Sequence, residues 1–526
     1  MTKYLIKRIL RALISVIIVV AVIMLMVYAW LDREAIFGSD PNYPKMLNNK
    51  RDTYMMSQWE KFGYLDYIPY TDYLSDEYKA GNITKEEMDA ASKLGATAEK
   101  DNEATAKMVA AFYEKYDNVD GYQVERKDGM LKIGTVKYKE GGRPELYAYK
   151  DISLPKRLLN YFTGLIKVDN INNAEEVVGE RGLTFTLHDP AYGGEKFSPA
   201  IMGNGTTHKY LLYCDDQFPY IHQNLATLNL GLSFSVNNNK EVWETMTGAQ
   251  GPQKKSMVTY PSGVSEITAD DLHSLTYVPG SLANGGELIQ RYYVDDYTGV
   301  TTAKSGMSQM GYSFVIGIIS VILAYLLAVP LGITMALNKD KIIDKLGTFY
   351  IIFIMAVPSL GYIFIFRAIG SSFKLPTTFD MQNPTWLMYV LPVISLALPS
   401  IANLMKWLRR YMIDQMNADY VKFARSGGLS ESQIFTKHVL KNAIIPIVHG
   451  IPGSVLGALT GAIITERVYM VPGIGNVLTT AINKYDNGVI VGVALFYALL
   501  SVASFILGDV LMSVMDPRIS FTSKQR

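Results

Sequence analysis

Cysteine is almost absent: Cys214 is the only one among 526 residues. That excludes a disulfide framework, a CxxC redox pair and any cysteine-rich zinc site. Histidine is scarce too, with 6 in the chain. His188, His208, His222 and His273 fall at no HExxH or other metal-ligand spacing. Ser262-Gly263 and Gly203-Asn204-Gly205 read as turns, not as a GxSxG nucleophile elbow. No Walker-type GxxxxGKS/T run occurs, so the chain does not itself hydrolyse ATP by a P-loop. An excess of one charge is lacking as well. The 50 Lys+Arg against 49 Asp+Glu leave a net of +1, which argues against a nucleic-acid binder.

That neutrality hides a partition. Residues 32–311 hold 29 basic and 39 acidic residues, a net of −10, and the remainder holds 21 and 10, a net of +11. The acidic stretch contains no apolar run long enough to span a bilayer, whereas the basic remainder is built from such runs. Ala12 to Leu31 is apolar but for Ser15, and is preceded by Lys3, Lys7, Arg8 and Arg11. About 20 such residues match a hydrocarbon core roughly 30 Å thick. A signal peptide has a shorter apolar region and a small-residue cleavage site. Here the run ends in Tyr28-Ala29-Trp30, as an interfacial belt does, so it reads as an uncleaved transmembrane helix.

Five more candidate spans follow at 313–337, 347–369, 386–405, 443–465 and 489–514. Six spans put both termini on one side. Lys339, Lys341 and Lys345, then Lys406, Arg409, Arg410, Lys422, Arg425, Lys437 and Lys441, lie on that side, with Arg518, Lys524 and Arg526. The opposite short loops hold little beyond Lys374, Arg467 and Lys484. The positive-inside rule makes the termini cytoplasmic and residues 32–311 external. Gly453, Gly457 and Gly461 repeat at four-residue spacing on one helix face. Ordinary close helix packing is the commoner reason for such a stripe, and a gating face is the alternative. His449 and Asp509 sit inside apolar spans. A satisfied structural histidine is the commoner reading of His449, against a substrate contact.

The insert at 32–311 reads as an α+β domain. Thr84 and Glu87 have capping-box spacing ahead of an alanine-rich helical stretch that reaches Tyr116. Tyr122–Arg126, Leu131–Tyr138 and Glu145–Tyr149 read as short strands between the turn pairs Asp128-Gly129 and Gly141-Gly142. Its 23 tyrosines fit a packed core or, less commonly, a peptide- or sugar-binding face.

The most specific stretch is the loop between the fourth and fifth spans. Asp419–Ser426 reads as a helix stopped by Gly427-Gly428, and Ser430 as the N-cap of a second amphipathic helix with Glu431 in its first turn. That helix runs into the fifth span, so the loop is a lever on the membrane bundle. A solvated amphipathic loop is the bland reading.

This stretch resembles the EAA loop of binding-protein-dependent ABC importer permeases. Gly428 stands at the loop glycine, Ala424 among the small residues before it, and His438 and Pro446 ten and eighteen positions after it, as in the peptide-permease branch. Glu466-Arg467-Val468-Tyr469-Met470-Val471-Pro472-Gly473-Ile474-Gly475 resembles that branch's E-x-V-F-x-x-P-G-x-G segment, and Asp516-Pro517-Arg518-Ile519 its terminal D-P-R-I. Pro330-Leu331-Gly332-Ile333 followed by Asp344 resembles the end of its second span, and Tyr4-Leu5-Ile6-Lys7-Arg8 with one span fits the B-type subunit. Lys422 replaces the acid of the motif, and the insert far exceeds that of compact members. Leu230-Gly231-Leu232-Ser233 resembles a segment normally found shortly before the second span, as though sequence had been added around it. The large form looks like the oligopeptide permeases of Gram-positive bacteria, of the Ami/Opp type.

The resemblance implies a mostly α membrane protein with six transmembrane helices of the type I importer kind. Residues 1–31 would hold the cytoplasmic N-terminus and first helix, 32–311 a large α+β extracytoplasmic domain, and 312–526 a five-helix core. It implies a multi-pass permease of the bacterial cell membrane, working as a heterodimer with a second permease subunit. Two cytoplasmic ATPase subunits would carry ATP and Mg, with no cofactor in this chain, and an extracytoplasmic peptide-binding lipoprotein would deliver an oligopeptide. The coupling loop at 409–442 would present Lys422, Ala424, Arg425, Gly428, Leu429 and Ser430 to an ATPase. Gly453, Gly457, Gly461, Pro472 and Gly473 are packing or gate candidates. The rival readings are the same machinery for dipeptides, nickel or a signalling peptide, and a membrane-anchored ligand receptor. The cytoplasmic side receives only short loops and a short tail, which disfavours the receptor.

Overall fold

The computed structural model describes residues 2–515 except 47–48, 134–136, 176, 190–193, 215–220 and 303. Four described helices are long and apolar enough to cross a membrane: Ile6–Trp30, Gln309–Leu337, Trp386–Met416 and Asn487–Met515. Their outward faces expose Ile18, Leu326 and Phe505, as a lipid-facing surface requires. The inward faces form two kinds of seam. Val16, Val20 and Met24 of the N-terminal helix pack into one cluster with Val489, Val491, Val493 and Leu495 of the last helix. Ala324 and Ala328 meet Ala397 and Ala402 across the middle pair, where small side chains let the backbones approach and dispersion contacts multiply.

Two of the expected spans are bent. The stretch expected at 347–369 is a pair, Ile342–Ala356 and Ser359–Ser372, bent by 109°. Pro358 has no N–H to donate and drives Val357 into extended backbone, with φ −82° and ψ 128°, which ends the first helix. The stretch expected at 443–465 bends by 40° between Glu431–His449 and Ile451–Thr460, at Gly450 and just ahead of Pro452. Among the described residues there are therefore four candidate spans, or up to six where each bent pair counts as one. Asp344, after the basic turn, is fixed by Arg409, whose Nε and Nη2 donate to its two carboxylate oxygens at 2.5 and 2.6 Å.

The inserted domain is α+β. A three-stranded antiparallel sheet places Glu145–Asp151 between Leu65–Pro69 and Gln123–Lys127. A four-stranded sheet runs Ile221–Gln223, Tyr210–Cys214, Ala200–Asn204, Gly182–Thr186. The tyrosines build cores: Tyr147, Tyr210, Tyr213, Tyr260 and Tyr297 are all buried. Phe112 meets Tyr70 edge-on at 5.6 Å, and Tyr260 stacks on Tyr292 at 4.2 Å. Such pairs contribute about 0.5–1.5 kcal/mol each beyond area burial.

Two local expectations need correction. The run 131–138 is not one strand: Met130–Ile133 pairs with Lys137–Glu140 as a hairpin of its own. Gly129 and Gly142 stand back to back at its base, where a Cβ on Gly129 would lie 2.6 Å from the Gly142 carbonyl oxygen. Both turn pairs thus close one protrusion, and Gln123–Lys127 pairs beyond it with Glu145–Asp151. The stretch 84–116 is two helices, Lys85–Ala91 and Glu103–Tyr116. Thr84 and Glu87 form the expected capping box. Asn102 caps the second helix, its side chain accepting from the Thr105 N–H at 2.8 Å.

Candidate functional site

The loop after Met416 folds back on the helices that carry it. Helix Asp419–Ser426 buries Val421 in a cluster with Leu408 and Met412 before it and Ile434, Val439 and Ala443 after it. The chain then turns at Gly427-Gly428. Gly428 has φ +80°, a left-handed conformation that costs an L side chain about 1–2 kcal/mol. A Cβ there would meet nothing within 4 Å, so backbone conformation alone calls for glycine. The Leu429 N–H closes the turn on the Ala424 carbonyl at 3.2 Å. Ser430 caps the next helix as expected, in a full capping box with Gln433.

The path of the chain into the fifth span was not legible in its residues. Glu431–Ile434 passes into a π-helical turn at Phe435–Leu440 and then into Lys441–His449. A π turn inserts a residue into the helical register, and such turns concentrate at functional sites.

Outward from this rigid base, Lys422, Arg425, Gly428, Leu429 and Ser430 are exposed and Ala424 is half-buried. Lys422 Nζ donates to Asp419 at 2.8 Å, and that ammonium holds the Asp419 carboxyl below the usual carboxylate range. Arg425 grips Glu431 with Nε and Nη2 at 2.6 and 3.1 Å. Phe423, not singled out from the sequence, is 76 % exposed between them. Its signal was an aromatic on the charged face of a short amphipathic helix. The loop therefore offers an apolar knob ringed by ion pairs on a stiff mount, which suits docking into a cleft.

The glycine stripe divides. A Cβ on Gly453 or Gly457 would meet nothing within 4 Å, so neither packs against a helix among the described residues of this chain. Both line an open cavity of about 560 Å³ with Asn403, Trp407, Tyr411 and Pro446. Gly461 lies in the same helix, at a position whose surroundings fall outside the described residues. Gly473 is the opposite case. A Cβ there would stand 2.4 Å from the Glu466 carboxylate, and one on Gly475 2.6 Å from the Ile463 Cα. Glu466 is fully buried. It accepts from Ser313 Oγ at 2.6 Å and from the Asn476 N–H at 3.2 Å, capping helix Ile474–Asn483. Pro472-Gly473 is thus a hinge-like turn wrapped on a carboxylate.

His449 Nδ1 donates to the Gly508 carbonyl at 2.9 Å, the structural role expected of it. Asp509 pairs with Arg8 at 2.6 Å. Asp516–Ile519 lie outside the described residues. In the inserted domain, Asp189 and His273, scattered in sequence, come together: His273 Nε2 is 2.6 Å from Asp189 Oδ2, and Tyr210 donates to Oδ1 at 3.1 Å. All three are sealed in the core, so the set holds the domain together.

The sharpest unforeseen feature joins the two halves. Leu230–Ser233 lies on the start of the last helix, where Leu230 and Val242 fill the space left by Gly492. Asp486, fully buried, accepts on Oδ2 from Ser233 Oγ (2.8 Å), the Ser235 N–H (2.9 Å) and the Val236 N–H (3.0 Å). Asn487 Nδ2 donates to the Tyr64 hydroxyl at 2.6 Å. Only the short Tyr485-Asp486-Asn487-Gly488 turn hinted at this knot.

The model of the binding-protein-dependent transport system inner membrane component family matches residues 328–521. The oligopeptide transport system permease protein AmiC of Streptococcus pneumoniae is 36% identical over 100% of this chain and 99% of its own length. The chain belongs to this permease family. A dipeptide transport system permease protein, DppB of Bacillus subtilis, is 27% identical over 40% of this chain and 68% of its own. The family match covers the loop, the glycines and the Glu466 turn. The inserted domain is spanned by the full-length pneumococcal relative, so the Leu230–Ser233 seam lies within that longer match. Membership makes the chain a multi-pass membrane protein.

Proposed function

We propose that this chain is one of two permease subunits of an ATP-driven oligopeptide importer in a bacterial cell membrane. In this reading each bent pair is one span, both termini and the 409–442 loop lie in the cytoplasm, and the acidic domain lies outside. The distribution of Lys and Arg among the short loops supports that orientation. The observation that carries the mechanism is the stiffly mounted, exposed turn at Gly427-Gly428 with Phe423 beside it.

In this reading a cytoplasmic ATPase, one of two that bind ATP and Mg, receives Phe423, Arg425 and Leu429. Closure of the ATPases displaces the loop. Because Val421, Ile434 and Ala443 share one buried cluster, the motion passes into the bent fifth span rather than dissipating in the loop. The open cavity beside Gly453 and Gly457 faces the second permease subunit and forms one wall of the peptide path. A peptide-binding lipoprotein delivers substrate to the domain of net charge −10. This chain carries no nucleotide motif, so its part in hydrolysis is to be moved by it.

Gly428→Asp tests the coupling. It forces a charged β-substituted residue to φ +80° on the docking face. Membrane insertion and assembly with the second permease should persist, while peptide-stimulated ATPase and labelled-peptide uptake in proteoliposomes fall to background. Normal uptake by this variant would sink the proposal.

A further inference from the structure

A cavity of about 340 Å³ opens at the seam between the inserted domain and the membrane helices, near the small end of ligand-pocket sizes. Met24 and Tyr28 of the N-terminal helix, Asn487 and Val491 of the last helix, and Arg157 and Tyr161 of helix Leu154–Thr163 line it. Lys61 and Lys167 stand at its edge, and no Asp or Glu is among its lining residues. Lys167 has a distant partner in Glu241 at 3.6 Å. Asp486, nearby, lies outside the lining and is already occupied by the Ser233–Val236 donors.

The Arg157 guanidinium lies between two rings, its carbon 4.0 Å from the centre of Tyr28 and 3.9 Å from that of Tyr64. Two buried polar atoms on the wall have no hydrogen-bond partner among the described residues: the Tyr161 hydroxyl and Asn487 Oδ1. Asn487 is 6 % exposed, and its Nδ2 is engaged by Tyr64. Turning the amide over exchanges one orphan atom for the other. A buried unmatched polar group is costly unless something supplies its partner.

The depth of the cavity identifies the source. Helix Leu154–Thr163 carries Lys156 and Arg157 and no acid, and it packs Leu158, Tyr161 and Phe162 against the bundle core. Leu159, Ile166 and Val168 beside it are each more than 60 % exposed. It therefore lies flat where the N-terminal helix ends in Tyr28 and Trp30, as an interfacial helix does. A peptide's ammonium end would need a carboxylate, and the lining has none.

We propose that this cavity holds the phosphate-bearing headgroup of an anionic membrane phospholipid. Arg157 and the two lysines face the phosphate, the Tyr161 hydroxyl donates to it, Asn487 Oδ1 accepts from a headgroup hydroxyl, and the acyl chains leave along the exposed Leu159. The lipid thereby fills the seam beside the Asp486 knot.

Native mass spectrometry of the detergent-purified transporter, titrated with dioleoylphosphatidylglycerol, tests this. The wild type should retain the lipid on this subunit about tenfold better than Lys61→Gln/Lys167→Gln. Tyr161→Phe should also weaken retention, and the wild type should hold dioleoylphosphatidylcholine, whose choline brings a cation beside the lysines and no hydroxyl for Asn487, less well than phosphatidylglycerol. Both lysines are exposed, so the double variant should keep its melting temperature in lipid-free detergent. Equal retention of phosphatidylglycerol by wild type and variants overturns the proposal. Displacement of the lipid by millimolar inorganic phosphate would also overturn it, because the site would then take a free anion.

Discussion

Removing the Asp486 carboxylate should unfasten the inserted domain from the membrane core without unfolding either. Oδ2 collects three donors from the domain, Ser233 Oγ and the N–H groups of Ser235 and Val236, and Oδ1 faces the Val489 N–H at 3.3 Å. Hydrogen bonds to a charged acceptor contribute about 1.5–3 kcal/mol each, and a buried N–H left unmatched costs about 1–3 kcal/mol. The Ser233 hydroxyl can turn to another acceptor, but the two backbone donors cannot. Asp486→Ala should therefore weaken closure of the seam by about 3–5 kcal/mol. Hydrogen exchange of the purified transporter, read on peptides spanning 230–242, should quicken by roughly a hundredfold to a few thousandfold. Distant peptides, such as those covering helix Glu103–Tyr116, should not change. Ser235→Ala is the control: it loses only the hydroxyl bond to the Lys484 carbonyl at 3.1 Å and keeps its N–H on Asp486. Its effect should stay near about 0.5–1.5 kcal/mol. Unchanged exchange at Ser235 and Val236 in Asp486→Ala would refute the assignment of the knot.

Two further variants bear on the core and the domain. Gly473→Ala, whose methyl would press on Glu466, should cost about 1–3 kcal/mol in thermal unfolding; Gly457→Ala, facing open space, should leave stability alone and alter only transport. Arg126→Ala should destabilise the inserted domain by about 3–5 kcal/mol, because Asp101 has the Arg126 guanidinium at 2.7 and 3.0 Å and a side chain only 3 % exposed. Burial pushes the Asp101 carboxyl up, but hydrogen bonds from Arg126 and the Gly95 N–H outweigh it and hold it below its ordinary value of 3.8. A depressed folded value gives stability that is complete above the unfolded value and lost as pH falls through the folded one. The wild-type domain should thus show an acid limb of melting below about pH 4 that Asp101→Asn flattens.

Elements set by local chemistry were readable from the chain. Ser430 and Thr84 cap helices because short polar side chains ahead of Gln433 and Glu87 satisfy end N–H groups with no help from elsewhere. The helix Asp419–Ser426 likewise follows from its own periodicity and the glycine pair. Features set by distant partners were not readable. Leu131–Tyr138 alternates like one strand, yet Gly129 against Gly142 folds it in half. Gly453 and Gly457 match a packing stripe, but whether a helix lies opposite is a property of the bundle. Pro358 ends the helix before it by its own chemistry, while the 109° angle to Ser359–Ser372 is not written in the local residues. Asp486 resembled any turn acid, since its three partners lie about 250 residues earlier.

The pairing of the N-terminal helix with the last one has a consequence for biosynthesis. Val16, Val20 and Met24 share their buried cluster with Val489, Val491, Val493 and Leu495 of the last helix, some 460 residues later in the chain. At roughly 5–20 residues per second of synthesis, the first helix waits on the order of half a minute or more with one face unmatched in the bilayer. The inserted domain must fold on its own side during that interval, tethered by a helix that is anchored but not yet packed. Emergence of the last helix is then also the moment these two helices clasp, so a chain terminated ahead of it would leave the first helix with an open face for membrane proteases to recognise.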